Sequence, residues 1–224
     1  MSWTPNILWP SINRGYAYKQ LGDYKRAIGS YNEAIALSPN SAIIYYNRGD
    51  AYNQLGDYEK AINDFNKAFA LGAKDILLYR HRGLVYVKLR KYELAMADYN
   101  QAIALNPHLA VLYSNRGFVN NKLYHHEQAI SDCNKAIELD AKFAPAYKNR
   151  AMAYLKLGNY EQATADCNKA IKLDPELAGA YYYRGAVVLE KQKDFNLALE
   201  DFKKAARLGD HQAQKRLIAR DINW

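Results

Sequence analysis

The sequence predicts an all-α fold built from repeated antiparallel helix pairs, and three observations lead to that fold class. An arginine returns every 34 residues, and glycine follows it in five of its six copies. Apolar residues recur at helical spacing around these arginines. Glycines and prolines stand where several of the helices would have to end. The recurring arginines are Arg14, Arg48, Arg82, Arg116, Arg150 and Arg184.

Residues 42–75 show how one repeat forms two helices. Tyr45, Gly49 and Tyr52 lie at positions i, i+4 and i+7, which makes one stripe of a first helix. A helix can end at Gly56, because glycine adopts positive φ without strain, and Asp57 is a good N-cap for a second helix. The buried stripe of that second helix is predicted to comprise Ala61, Phe65, Ala68 and Leu71.

The period divides the chain into six repeats with a short segment at each end. Pro5 and Pro10 predict an extended leader over residues 1–7. Residues 211–224 are predicted to form a capping helix and tail, with Leu217 and Ile218 on its apolar stripe, because the last repeat of an array exposes its core. The repeats are 8–41, 42–75, 76–109, 110–143, 144–177 and 178–210.

The turn between the two helices of a repeat departs from glycine–aspartate in the third and fourth repeats. The segments "RKY" and "YHH" stand there instead, without a glycine or a good N-cap. These two turns are predicted to be the weakest points of the array.

The repeat pattern resembles the tetratricopeptide repeat, in a variant that carries Asn-Arg-Gly in its first helix. Counted from the start of each repeat, most repeats have an aromatic residue at position 4, glycine at 8, tyrosine at 11 and alanine at 20 and 27. The family usually has leucine where this chain has the recurring arginine. The similar pentatricopeptide repeats, which bind RNA, have a period of 35, so the strict period of 34 argues against them. Position 20 is held by Ala27, Ala61, Ala95, Ala129 and Ala163.

The resemblance implies a right-handed superhelical solenoid whose first helices line a concave, peptide-binding groove. Position 6 of each repeat would face this groove. Four asparagines there could bond the backbone of an extended peptide, because an amide both donates and accepts hydrogen bonds; the alternative is that they are merely solvated. The position-6 residues are Asn13, Asn47, His81, Asn115, Asn149 and Tyr183.

Further groove positions carry basic and apolar side chains in the third to fifth repeats. They predict a partner segment with acidic and apolar residues, although the lysines could equally form the solvated surface of a basic protein. The basic residues are Arg80, Lys88, Lys122, Lys148 and Lys156, and the apolar ones are Leu84, Phe118 and Met152. The basic and asparagine pattern with which some family members clamp the C-terminal carboxylate of chaperones is absent.

The recurring arginines are predicted to pair with aspartates at position 23, either within a repeat or between repeats. Position 7 borders the core, so packing is favoured over ligand binding, and a guanidinium can bond a carboxylate through two nitrogens. The aspartates are Asp64, Asp98, Asp132, Asp166 and Asp201.

Other site chemistry is not expected. Cys133 and Cys167 occupy the core position 24 and are predicted to be free, buried thiols. The His125–His126 pair is not a metal site, because adjacent helical residues point apart. No phosphate-binding loop or nucleophile motif occurs, so neither an enzyme nor a cofactor is expected. The two cysteines and the lack of a signal peptide or long apolar run predict a cytoplasmic protein.

The predicted function is therefore a non-enzymatic protein–protein interaction module that binds a peptide segment in its groove. One alternative is a scaffold that self-associates or acts as an assembly subunit. A less favoured alternative is a binder of nucleic acid or another acidic polymer, for which the only support is the net charge of +8.

Overall fold

The computed structural model describes residues 5–224, with side chains from Trp9 onward, and this part of the chain is all α-helical. It has the all-α helical repeat fold that the sequence predicts. The helices in this range are α1 (Pro5–Gln20), α2 (Tyr24–Leu37), α3 (Ala42–Leu55), α4 (Tyr58–Ala70), α5 (Ile76–Lys88), α6 (Tyr92–Leu105), α7 (Ala110–Lys122), α8 (His126–Leu139), α9 (Ala144–Lys156), α10 (Tyr160–Leu173), α11 (Ala178–Gln192), α12 (Phe195–Arg207) and α13 (His211–Ile218).

The helices belong to two compact units, an N-terminal unit that ends at Pro107 and a C-terminal unit that runs from His108 to Trp224. Each unit contains three helix pairs, and the two helices of every pair pack against each other. The first helices also contact one another, α1 with α3 and α3 with α5 in one unit, α7 with α9 and α9 with α11 in the other. None of the helices from Pro5 onward has the length and apolar character needed to span a bilayer.

The prediction of an extended leader is wrong for residues 5–7, since α1 begins at Pro5; residues 1–4 lie outside the described part of the chain. Proline suits the first position of a helix because the missing N–H has no intrahelical partner there and φ is already near the helical value. Pro10 lies inside α1, where it removes one backbone hydrogen bond but does not end the helix.

The recurring glycine lets the two helices of a pair approach closely. A β-carbon on Gly83 would lie 2.9 Å from Cε1 of Tyr99, which is fully buried in the facing helix. The fifth repeat breaks this pattern in a complementary way. Ala151 stands in place of glycine, and the facing aromatic residue is replaced by the smaller Cys167, with both side chains fully buried. The volume lost on one helix thus makes room for the methyl group on the other.

The turns within the pairs keep one backbone geometry whether or not glycine is present. Gly56 has a φ of 82°, and the residues in the corresponding place of the third and fourth repeats, Arg90 and Tyr124, have φ values of 59° and 64°. Left-handed backbone is unfavourable for residues with a β-carbon. In addition, Asp57 accepts a hydrogen bond from the Lys60 amide, whereas the equivalent Lys91 and His125 make no side-chain cap. The third and fourth repeats therefore keep the same turn shape without glycine, and their backbone is strained at Arg90 and Tyr124.

Helix α13 packs on the last helix pair of the C-terminal unit. Ala213 and Leu217 are fully buried in a cluster with Phe202. Ile218, expected on the same stripe, is instead 61% exposed, because successive residues of a helix point in directions about 100° apart. Asp210 caps this short helix by accepting a hydrogen bond from the Ala213 amide at 2.8 Å.

Gly83→Ala is expected to destabilise the protein. The added methyl group would overpack against the Tyr99 ring at a typical cost of about 1–3 kcal/mol, which exceeds the gain of up to about 1 kcal/mol from helix propensity. The matched control is Gly29→Ala in α2, where an added β-carbon meets no atom within 4 Å, so it should be stabilising. Urea unfolding of both variants measures the difference, and equal stabilities would contradict the close-packing role of Gly83.

Arg90→Gly is expected to stabilise the protein by about 0.5–1 kcal/mol, because glycine relieves the positive φ at this turn. Arg90→Ala is the matched control: it removes the same side chain but keeps a β-carbon in the left-handed conformation. The melting temperature should rise for the glycine variant alone. A similar rise in the alanine variant would show that the Arg90 side chain, rather than the backbone strain, is unfavourable.

Candidate functional site

Five of the six recurring arginines form paired hydrogen bonds with the aspartates of the facing helix. Arg48 donates through Nε to Asp64 Oδ2 and through Nη2 to Asp64 Oδ1, both at 2.7 Å. The prediction of arginine–aspartate pairs is confirmed, and each pair lies within one repeat. The pairs are Arg48–Asp64, Arg82–Asp98, Arg116–Asp132, Arg150–Asp166 and Arg184–Asp201.

A third bond extends the network to the preceding repeat. Arg48 Nη1 donates to Asn32 Oδ1 at 2.6 Å, so one side chain joins α3, α4 and α2. Its guanidinium also lies over the rings of Tyr45 and Tyr52. The same asparagine bond occurs in the pairs Arg82–Asn66, Arg150–Asn134 and Arg184–Asn168. These arginines are thus occupied by packing, as the sequence favoured, and their donors are not directed at a ligand.

Arg14 differs from the other recurring arginines because its repeat carries Ser30 in place of the aspartate. Its Nε donates to Ser30 Oγ at 3.0 Å, and its Nη2 donates to Glu33. Both Arg14 and Glu33 are largely exposed, so this pair contributes little to stability.

In the N-terminal unit, the predicted groove positions are partly occupied by internal polar contacts. His81 stacks on Tyr46, and its Nδ1 is hydrogen-bonded to the Tyr46 hydroxyl at 2.8 Å. Arg80 donates to Nε2 of His81 at 2.9 Å. Burial lowers the pKa of His81, while the nearby Asp50 carboxylate partly opposes this shift. The Asp50 carboxylate is itself bonded by Lys19 at 2.9 Å.

The remaining predicted residues of this unit do not form one cluster with His81. Asn13 and Lys88 are exposed, whereas Asn47 and Leu84 are half-buried. No hydrogen bond involving the Asn13 or Asn47 side chain is observed within the described part of the chain. Of these two amides, Asn13 is open to solvent and Asn47 only partly so.

The C-terminal unit contains a groove of about 680 Å³ between the first helices of its pairs and α13. Its volume is in the range typical of ligand-binding clefts. Four predicted residues line it, namely Lys122, Met152, Lys156 and Tyr183. Leu155, Ala186 and Glu190 also line it, at first-helix positions that the family resemblance assigns to the groove. The sequence analysis missed the other residues that complete its walls, which are Asn121, Tyr124, His126, Leu157, Gly158, Tyr160, Tyr182, Gln212 and Arg216.

The floor of the groove, formed by Met152, Leu155 and Ala186, is apolar, whereas most of its walls are polar. Met152 and Ala186 are buried beside half-buried Leu155. The Tyr183 hydroxyl donates a hydrogen bond to Met152 Sδ at 3.0 Å, and burial raises the pKa of Tyr183. Because the tyrosine hydroxyl stays neutral and bonded to the thioether, the floor remains uncharged at neutral pH.

The prediction that Asn149 faces the groove is wrong. Asn149 is 4% exposed, and its side-chain nitrogen donates to the backbone oxygen and to Oγ of Ser114, each at 3.0 Å. Asn121 in turn donates to the backbone oxygen of Asn149 at 2.8 Å. These bonds tie α9 to α7, so position 6 of the fifth repeat serves packing. Asn115, at the same position of the fourth repeat, is half-buried and does not line the groove.

Phe118 and Lys148 do not line the groove, but they form a cluster with Lys122, which does. The ammonium groups of Lys122 and Lys148 lie 5.1 and 5.8 Å from the centre of the Phe118 ring. Burial lowers the pKa of Lys148, whereas the Cys133 and Asp210 side chains partly oppose the shift. The aromatic face attracts both ammonium groups, and Lys122 brings its positive charge to the groove wall.

The cysteines and histidines do not form a reactive or metal-binding site in the described part of the chain. Cys133 and Cys167 are free and buried, as predicted. Desolvation raises the pKa of each thiol to about 12, so neither is a thiolate at neutral pH. Residues 5–224 contain no group of three potential metal-ligating side chains.

Family models for the tetratricopeptide repeat match more than half of the chain. A TPR repeat model matches residues 15–56, and two tetratricopeptide repeat models match the other segments. The chain belongs to the tetratricopeptide repeat family. The segments matched by those two models are 42–72, 76–109, 110–143 and 144–177.

Solved structures of tetratricopeptide repeat proteins are similar to this chain. YrrB, described as a TPR protein with an unusual peptide-binding site, is 26% identical, with a TM-score of 0.68 over 84% of this chain and 92% of its own. MamA is 26% identical, with a TM-score of 0.66 over 73% of this chain and 96% of its own. A tetratricopeptide repeat protein from Parabacteroides merdae ATCC 43184 is 21% identical and covers 95% and 98%, with a TM-score of 0.74. No curated protein matches the chain.

Asp166→Asn is expected to destabilise this tetratricopeptide repeat protein by about 2 kcal/mol or more, because it leaves the largely buried Arg150 guanidinium without a charged partner. The matched control is Glu138→Gln, which neutralises an exposed carboxylate paired with Lys135 and should change stability by less than about 1 kcal/mol. Urea unfolding of both variants tests the difference. A negligible effect of Asp166→Asn would mean that the pair does not stabilise the fold.

Proposed function

We propose that the protein is a non-enzymatic interaction module whose C-terminal unit binds a peptide segment of a partner. The observation that carries this proposal is the groove of about 680 Å³ with an apolar floor and a basic rim. Tetratricopeptide repeat proteins bind protein or peptide partners, which agrees with this use of the groove.

The proposed partner segment carries apolar and acidic residues. An apolar side chain would pack mainly on the half-buried Leu155, because Met152 and Ala186 are each only 5% exposed and burying apolar surface is the main favourable term in such contacts. Lys122 and Lys156 would attract the acidic residues and orient the segment. The hydrogen bond between Tyr183 and Met152 orders part of the floor before binding, which reduces the entropy lost on association.

The sites in the N-terminal unit have a narrower proposed role. Asn13 and Asn47 retain the proposed function of bonding a peptide backbone there, and Asn115 retains it in the C-terminal unit. Arg80 and His81 are bonded to each other, so a ligand would have to compete with that contact. We therefore assign the main binding function to the groove of the C-terminal unit.

Selection from a random-peptide display library tests the proposal, using the full chain as bait. The double variant Lys122→Glu/Lys156→Glu should bind the selected peptides at least tenfold more weakly, about 1.4 kcal/mol, because it reverses the charge of the groove rim. Leu155→Ala should also weaken binding, through the apolar floor. Affinities are measured by fluorescence anisotropy with synthetic copies of the selected peptides.

The matched control is Lys169→Glu/Lys172→Glu, which makes the same charge change at exposed positions of α10 outside the groove lining. This variant should retain wild-type affinity. Equal weakening of both double variants would mean that only net charge matters, and this result would favour a general acidic-polymer binder. Failure to select any peptide would contradict the proposed function itself.

A further inference from the structure

Arg216 on α13 is held in place on the wall of the groove by two aromatic residues. Its Nε donates to the Tyr182 hydroxyl at 3.2 Å. Its guanidinium carbon lies 5.6 Å from the centre of the Tyr182 ring and 5.5 Å from that of Phe202. Tyr182 and Phe202 are themselves buried. The orientation of the guanidinium is thus set before any ligand arrives.

The terminal nitrogens of Arg216 have no hydrogen-bonding or ionic partner among the side chains and backbone atoms that the structure describes. This separates Arg216 from the recurring arginines, such as Arg184, whose Nε and Nη2 bond Asp201 while Nη1 bonds Asn168. Arg216 also lines the groove, whereas none of the recurring arginines does. An oriented guanidinium with open donors suits a planar acceptor that can take two hydrogen bonds.

The charges around the groove favour an anionic acceptor. Lys122 and Lys156 line the same groove, together with one carboxylate, that of Glu190. Glu190 accepts a hydrogen bond from Lys193 at 3.1 Å, so it is already paired. The lining therefore carries an excess of positive charge, which lowers the cost of bringing a carboxylate of the ligand into the partly desolvated groove.

From these contacts we infer that Arg216 binds a carboxylate of the peptide segment through two hydrogen bonds. This inference rests on the proposed peptide-binding function and adds a specificity-determining residue to it. The terminal helix then has two roles, since Leu217 covers the core of the last repeat while Arg216, one residue earlier, faces the ligand. The carboxylate belongs either to an Asp or Glu side chain or to the C-terminus of the segment.

Arg216→Gln should weaken the binding of the selected peptide at least tenfold, about 1.4 kcal/mol. Arg216→Lys should give an intermediate loss, because lysine keeps the charge but cannot form the paired bonds of a guanidinium. The matched control is Arg220→Gln, just after α13, where the guanidinium lies over Phe195 at 4.1 Å and does not line the groove. This control should bind like the wild type.

A double-mutant cycle identifies the carboxylate and separates a binding role from a structural one. The selected peptide is synthesised with an amidated C-terminus, and separately with each Asp or Glu replaced by Asn or Gln. When the peptide lacks the carboxylate that Arg216 binds, Arg216→Lys should cause no further loss of affinity. A purely structural effect of Arg216→Lys would instead lower the affinity for every peptide variant by the same factor. Circular dichroism and the melting temperature establish that each protein variant is folded.

The outcomes distinguish this inference from the proposed function on which it rests. If Lys122→Glu/Lys156→Glu weakens binding but Arg216 shows no coupling to any carboxylate of the peptide, the proposed role of Arg216 is wrong. The peptide-binding function of the groove is then still supported. If no peptide is selected, or if the groove variants bind normally, the proposed function itself fails.

Discussion

Within each of the two units, a repeated side-chain network holds neighbouring repeats in register. Five of the six recurring arginines bond the aspartate of their own repeat, and Arg48, for example, also reaches Asn32 of the preceding one. Replacing a buried ion pair with apolar residues is often neutral or stabilising, so the network is not needed for stability as such. Its role is to orient the helices. Two hydrogen bonds to a carboxylate and one to an amide restrict how the three helices that carry these groups can be arranged. The first helices, and with them the groove walls, are positioned by this arrangement.

The same network explains why the candidate site is small and local. Five of the twelve arginines that contribute to the net charge are bonded to the aspartate of their own repeat, and in the N-terminal unit Lys19 is paired with Asp50. In the C-terminal unit, by contrast, Lys122, Lys156 and Arg216 surround an apolar floor with a single, already paired carboxylate. The lining of this groove therefore carries more positive than negative side chains, and net charge alone is a poor guide to what the protein binds.

The groove also depends on a helix outside the repeats. Helix α13 buries Leu217 against Phe202 and, through Arg216, contributes a charged side chain to the groove wall. A capping helix must cover whatever the last repeat exposes, and here that surface adjoins the ends of the first helices. Covering the core and shaping the groove are thus two consequences of the same packing.

The periodic spacing of residues determined the helix pairs, the arginine–aspartate pairing and the buried, free thiols of Cys133 and Cys167, because each of these depends on contacts at a fixed sequence interval. Tertiary structure alone decided which polar side chains remain open to a ligand. Asn149 occupies the same repeat position as Asn115, but its amide bonds Ser114 on the neighbouring first helix. Arg216 lies outside the repeat period, and only the packing of α13 brings it to the groove. A hydrogen-bonding group is available to a partner only when no neighbour satisfies it, and its neighbours are set by the folded packing.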